Sequence, residues 1–426
     1  MSGCEPITNP LPQRYLLGEE GVGGSLKERP EDFVVEEMPA YEPCGEGEHL
    51  YLRIEKTGVS HGELISCLSR HFGLTSKAIG YAGMKDKIGV TRQTVSLHLL
   101  SEPPPLELPH ERIKVLWAKR HRNKIRRGHL LGNRFLIRIR NIDPDRKDSV
   151  LQRLQKLERL GAPDYFGPQR FGYRANNQLL GAAYLCEDWR RLLTELLGTK
   201  GSWFPQYQQE RRELFDAGRI EEAAVLWTMA DRAELIAIRA LRDGRCEREA
   251  CTAVGRPTLS FWVTAAVSAI FNKVVDQRIA DETIDLLLEG DLAFKHDSRA
   301  VFPVTEDELA TGELPARLAS LEISPSGPLW GKDMTRARGR VAEIEEAAAE
   351  TIGLPVQLLT DPARGPDGGR RPLRSPLRNI AVDSGTDEHG PFVQAAFELP
   401  RGAYATVVMR EVMKVEEAAL TGFHRE

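Results

Sequence analysis

Apolar and polar residues alternate in two early stretches of the chain. Lys27 to Glu37 runs from a loop into a short strand around Phe33 to Val35, and from His49 the pattern Leu50, Leu52, Ile54 continues to Thr57 and Gly58. Alternation of this kind predicts half-buried strands. The period then lengthens: Leu64, Ile65, Leu68 and Phe72 recur at helical spacing, between a capping-box pattern at Ser60 and Glu63 and a closing Gly73. A helical turn at Ser76 to Ile79 and a strand over Thr91 to Leu99 follow. Pro103, Pro104, Pro105 and Pro109 make a stiff connector, Val115 to Trp117 and Leu131 to Ile142 predict further strands, and Val150, Leu151, Leu154 and Leu157 mark an amphipathic helix over Ser149 to Leu160. The first 163 residues therefore form a mixed α/β unit, whose Gly- and Pro-rich start, 1 to 25, is expected to be poorly ordered.

From Tyr165 the pattern is mainly helical, with Asp188 to Leu197, Glu210 to Ala250 and Ser260 to Leu288 as the main stretches. The stripe of Phe261, Ala265, Ala266, Ala269 and Ile270 predicts a buried packing helix. Residues 362 to 378, rich in Gly, Pro and Arg, suggest a boundary or flexible loop, after which Phe392 to Leu399 predicts a strand and Thr406 to Leu420 a final helix. The fold class is α/β (α+β), and 426 residues favour two domains or one domain with a large insertion.

No apolar run approaches the roughly 20 residues that span a bilayer, and residues 1 to 16 lack a basic start and an apolar centre. A cytoplasmic protein with no membrane contact is expected. Six scattered cysteines and ten dispersed histidines imply neither a disulfide framework nor a metal site. A net charge of −4 argues mildly against a nucleic-acid partner, but the distribution reverses that. Lys114, Lys119, Arg120, Arg122, Lys124, Arg126, Arg127, Arg134, Arg138 and Arg140 fall in Arg112 to Ile142, which has no acid. Distant acids cannot cancel this strip, because exposed charges are screened beyond about 8 Å at physiological salt. Its last part, Leu131 to Arg140, would as a strand set aliphatic and aromatic groups on one face and guanidinium groups on the other. That outer face suits an RNA backbone.

The densest chemistry lies in Gly80 to Gln93, G-Y-A-G-M-K-D-K-I-G-V-T-R-Q, where Asp86 stands alone among lysines and glycines. On local pattern alone, Lys-Asp-Lys between two strands is also an ordinary solvated turn. The segment resembles the signature loop of the TruD family of pseudouridine synthases. Four more segments resemble that family in order: Lys27 to Glu36, K-E-R-P-E-D-F-V-V-E; Gly132 to Phe135, G-N-R-F; Phe166 to Gly172, F-G-P-Q-R-F-G; and Gly402 to Lys414, G-A-Y-A-T-V-V-M-R-E-V-M-K.

The resemblance implies a mixed-sheet catalytic domain interrupted by a largely helical, RNA-clamping insertion: 1–163, then 164–375, then the return over 376–426. It implies a tRNA pseudouridine synthase acting on uridine 13 of the D arm, with Asp86 as the catalytic carboxylate. No cofactor or metal is expected, and the protein is expected to be a monomer. One of Lys27 and Lys85 would keep Asp86 ionised while the other touches phosphate. Phe33 and Tyr404 would hold a flipped base. Asn133 would bond to the Asp86 carboxylate or the uracil edge, and Phe135 would wall the pocket. Locally, a turn-forming asparagine and a core phenylalanine fit equally well. Arg170 would contact phosphate or an internal acid, and Arg126 and Arg127 would contact RNA. Two other readings stand beside this one: a synthase for another structured RNA, and a tRNA chaperone that only binds.

Overall fold

A computed structural model describes residues 9–310, 312–363, 365–416 and 419–420. The chain divides into two compact units, one of Leu17–Ala162 with the chain from Ser375 onward, the other of Pro163–Arg374 with the described residues before Leu17.

The first unit is built on an eight-stranded sheet. Its strands are β1 (Phe33–Pro39), β2 (His49–Thr57), β3 (Ile79–Tyr81), β4 (Val90–His98), β5 (Ile113–His121), β6 (Leu130–Arg140) and the C-terminal pair Arg378–Asp387 and Gly390–Pro400. The order is Arg378–Asp387, Gly390–Pro400, β6, β1, β4, β2, β5, with β3 beside β4. Only β1 and β4 run parallel, paired from Val34↔Val90 to Glu36↔Arg92. The alternation in β2 has its physical basis here: Leu50, Leu52 and Ile54 pack with Val95, Leu97, Leu64 and Leu68 of β4 and helix α1 (His61–Phe72).

Helix α1 keeps half of the expected capping box. Ser60 accepts the Glu63 N–H at 3.2 Å and Gly73 closes the helix at φ 64°. The Glu63 carboxylate turns instead to His110 Nε2, also at 3.2 Å. Helix α2 (Lys147–Leu160) buries Val150, Leu154 and Leu157.

Several expectations are corrected. Residues 1–8 lie outside the described residues, but 9 to 25 are ordered: Val22 N–H donates to Val412 O at 3.1 Å, and Ser25 exchanges two 2.9 Å backbone bonds with Arg140. Glu210 to Ala250 is four helices, Gln209–Asp216, Ile220–Leu226, Arg232–Arg242 and Glu247–Ala253. Gly218 at φ 75° and Gly244 at φ 81° break the run, because both positions need left-handed backbone. Within the stretch 362 to 378 the two units divide after Arg374, but residues 369 to 375 are not a flexible loop. They form strands Gly369–Pro372 and Arg374–Ser375, and Arg370 pairs with buried Glu345 at 2.7 Å while Arg371 meets Asp164 at 2.9 Å. The last helix is shorter than expected, Ala405–Met413, ended by Lys414 at φ 47°.

The second unit packs its helices beside a four-stranded antiparallel sheet ordered Gly369–Pro372, Ile323–Leu329, Leu292–Lys295, Val301–Pro303. Its 25-residue helix Arg256–Ala280 reaches membrane-spanning length and hydropathy, contrary to the expectation that no stretch of the chain would. Its most apolar stretch is 72% buried within the unit, so it is a packing helix.

Candidate active site

β1 and β3 share one edge of β4 without meeting. β1 pairs as far as Arg92 and β3 begins at Val95, so Gln93 and Thr94 have no strand partner on that edge. The Glu37 carboxylate, 2% exposed, fills the gap by accepting the Thr94 N–H at 3.2 Å. Its other oxygen lies 2.9 Å from Lys85 Nζ. Arg53 completes the frame, donating to Glu37 O at 2.9 Å and to the Glu36 carboxylate at 3.0 Å.

The loop carrying Asp86 joins β3 to β4 across this frame. Lys85 is buried and turned inward, donating to Asn133 Oδ1 at 2.8 Å. Because an ammonium only donates, the Asn133 amide must offer it oxygen, and its N–H groups are left for another acceptor. Gly89 ends the loop at φ 136°, where a Cβ would stand 2.5 Å from Phe33 O. No side chain larger than hydrogen fits there.

Asp86 points the opposite way from Lys85, its side chain 43% exposed and Oδ2 3.8 Å from Lys27 Nζ. Lys27 is buried, in left-handed backbone at φ 59°, and its ammonium lies 4.3 Å above the Phe33 ring. Burial lowers the Lys27 pKa and the Asp86 charge opposes that fall. Lys27, not the adjacent Lys85, is therefore the cation at the carboxylate. A second lysine holds the backbone: Lys56, fully buried on β2, donates at 2.7 Å to both Val59 O and Asp86 O.

Phe33 and Phe135 are both buried. Phe33 is 3% exposed, beneath Lys27 and edge-on to Phe135 at 6.3 Å, so it is not an open platform for a base. Phe135 is packed between Phe33 and Phe397 as core. Asn133 bonds Lys85 and not Asp86. Tyr404, half-buried, is the N-cap of Ala405–Met413, just after the strand that pairs Pro400 with Gly132. Arg170 lies in the other unit, over the rings of Phe166 and Phe261, and pairs with no acid among the described residues.

The basic strip is largely committed. Arg134 pairs with Glu398 at 2.7 Å and Arg138 with Asp387 at 3.1 Å. Arg140 is buried between Asp32 at 2.6 Å and Asp387 at 2.8 Å, and holds the Asp387 carboxyl well below the usual carboxylate range. The guanidinium face expected of β6 is thus charge-neutral. Arg126 and Arg127 remain exposed, on a turn whose Gly128 N–H donates to Ala82 O at the start of the Asp86 loop. Arg127 also donates to the Tyr81 hydroxyl at 3.2 Å.

Glu37 and Lys56 escaped the sequence reading, although a signal existed. Glu37 is in phase with Phe33 and Val35, and Lys56 with Leu50, Leu52 and Ile54. A charged residue on the apolar phase of a strand must find a buried partner.

The family model described as tRNA pseudouridine synthase D (TruD) matches residues 12–412. The chain belongs to the TruD family. It is thus a member of a family of pseudouridine synthases, which are isomerases. A protein of Geobacter sulfurreducens named tRNA pseudouridine synthase D is 40% identical over 94% of this chain and 97% of its own length. One of the same name in Geotalea daltonii is 39% identical over 94% and 99%. A solved structure of a putative tRNA pseudouridine synthase D from Methanosarcina mazei superimposes with a TM-score of 0.80 at 24% identity, over 96% of this chain and 98% of that one, and shares the fold.

Proposed function

We propose that this TruD-family protein converts a uridine of tRNA to pseudouridine, that Asp86 is the reacting carboxylate, and that the target is uridine 13 in the D arm. The observation that carries the reading is a half-exposed carboxylate on a loop pinned on both sides, with a buried ammonium 3.8 Å away. The reaction breaks the bond between C1′ and N1 of the uridine, turns the uracil, and joins C5 to C1′. The C5 proton leaves and N1 gains one, so no redox partner enters the balance. The carboxylate either adds to C1′ or takes the C2′ proton to give a glycal, and either role needs it ionised. Lys27 opposes its protonation as a base closes the site and excludes water. Asn133, its oxygen held by Lys85, offers N–H donors that suit a uracil carbonyl. The tRNA substrate is supported by the names of the relatives, and the Pro163–Arg374 unit is assigned to clamping the RNA.

The test is release of tritium from C5-labelled uridine in tRNA transcripts, with the modified position mapped. Release at position 13 supports the whole reading. Release from another position keeps the reaction and replaces the target, and tight RNA binding with no release from any transcript favours a chaperone.

A further inference from the structure

Glu37 on β1 and Asn133 on β6 stand directly opposite each other in the antiparallel pair, so their side chains leave the sheet on the same face. Lys85 reaches between them from the Asp86 loop. Its ammonium lies 2.8 Å from Asn133 Oδ1 and 2.9 Å from Glu37 Oε2, while Glu37 Oε1 accepts the Thr94 N–H at 3.2 Å. Arg53 braces the same place, donating to Glu37 O at 2.9 Å and to Thr94 Oγ1 at 3.3 Å. Glu37 and Lys85 are buried, whereas Asn133 is half-buried and its amide nitrogen donates to no protein group among the described residues.

We propose that Glu37 and Lys85 are positioning residues that fix the Asn133 amide and so make the site select uracil over cytosine. The inference rests on the proposed isomerisation of a uridine beside Asp86. A free asparagine amide turns about its last side-chain bond and offers either its oxygen or its N–H groups, so alone it distinguishes the two bases poorly. Here one orientation is excluded, because it would set N–H groups against an ammonium that has only donors. Glu37 holds that ammonium in place: its carboxylate is an acceptor, anchored through its other oxygen on the backbone of β4. Uracil presents an acceptor, O4, at the carbon where cytosine carries the N4 amino donor, whereas O2 is common to both. The assignment is therefore to O4. A fixed amide donor bonds uracil there and faces cytosine donor to donor, leaving both groups unsatisfied. An ion pair that only filled the gap between β1 and β3 would leave the choice of base untouched.

The experiment first maps the target by C5 tritium release from a tRNA transcript with the wild type. It then compares the equilibrium affinity of two transcripts that differ only in U or C at that position, in the Asp86→Asn background so that the uridine is not consumed. The same pair of affinities is measured after adding Glu37→Met together with Lys85→Met, or Asn133→Asp. Replacing both charged partners at once leaves neither buried and unpaired. With the three residues intact, the C transcript should bind about tenfold more weakly than the U transcript. In the paired methionine variant the two affinities should agree within about twofold, because the amide is free to turn. Asn133→Asp, whose carboxylate accepts and does not donate, should prefer the C transcript. Equal affinities with the three residues intact overturn the proposal even if neither variant folds. So does a folded methionine pair that keeps the full preference for U, or Asn133→Asp still preferring U. An absence of release by the wild type from any transcript would instead remove the isomerisation reading, and the proposal with it.

Discussion

Two groups of three cations on one sheet do opposite things. Around the Asp86 loop, Lys27, Lys56 and Lys85 are buried, with Glu37 and Asp86 as the carboxylates close to them. Along β6, Arg134, Arg138 and Arg140 each meet an acid within 3.1 Å, and the strand's charge is cancelled where it arises. In the first group Lys85 is met by Glu37, and Lys27 and Lys56 have Asp86 as their main anion. The second is a set of struts that ties β6 to the C-terminal strands and to Asp32. Local charge count alone ranks the β6 strip as the functional one, and the pairing reverses the ranking.

The comparison can be broken at several points. Asp86→Asn should lower turnover by several orders of magnitude while RNA binding persists, measured by C5 tritium release and filter binding. Arg140→Met leaves Asp32 buried without its cation and should cost about 3–5 kcal/mol of stability in chemical denaturation, with activity per folded molecule retained. Lys27→Met should lower kcat about 100-fold with KM little changed, because it removes charge at the carboxylate and no RNA contact. Reversing Arg126 and Arg127 together to Glu should weaken tRNA binding about tenfold and flatten its salt dependence. Arg134→Gln removes an exposed guanidinium from Glu398, which keeps its 2.7 Å bond from Asn379, and should change stability by about 1 kcal/mol and affinity hardly at all. If the last variant weakened binding as much as the Arg126 and Arg127 pair, β6 would be an RNA surface after all.

Much of the first unit was legible because its elements announce themselves locally. β2 runs over His49–Thr57 as the alternation requires, and α1 lies between Ser60 and Gly73 as its end signals require. The Asp86 loop was legible through resemblance and composition together. What stayed hidden depends on partners far along the chain: Arg134 finds Glu398 across 264 positions, and no window on the sequence contains both. The Gly- and Arg-rich stretch near 370 misled for the same reason, since its arginines are ordered by Glu345 and Asp164. Glu37 and Lys56 were readable in principle, as charges on the apolar phase of their strands, but only their burial shows what they hold.

The most direct test of the account is single-turnover tritium release by the wild type and Asp86→Asn on one tRNA transcript, with the bound fraction measured in the same reaction. The account predicts equal binding and a rate for the variant lower by several orders of magnitude. Equal binding with an equal rate would show that the reacting group lies elsewhere and that the lysines around this loop serve another purpose.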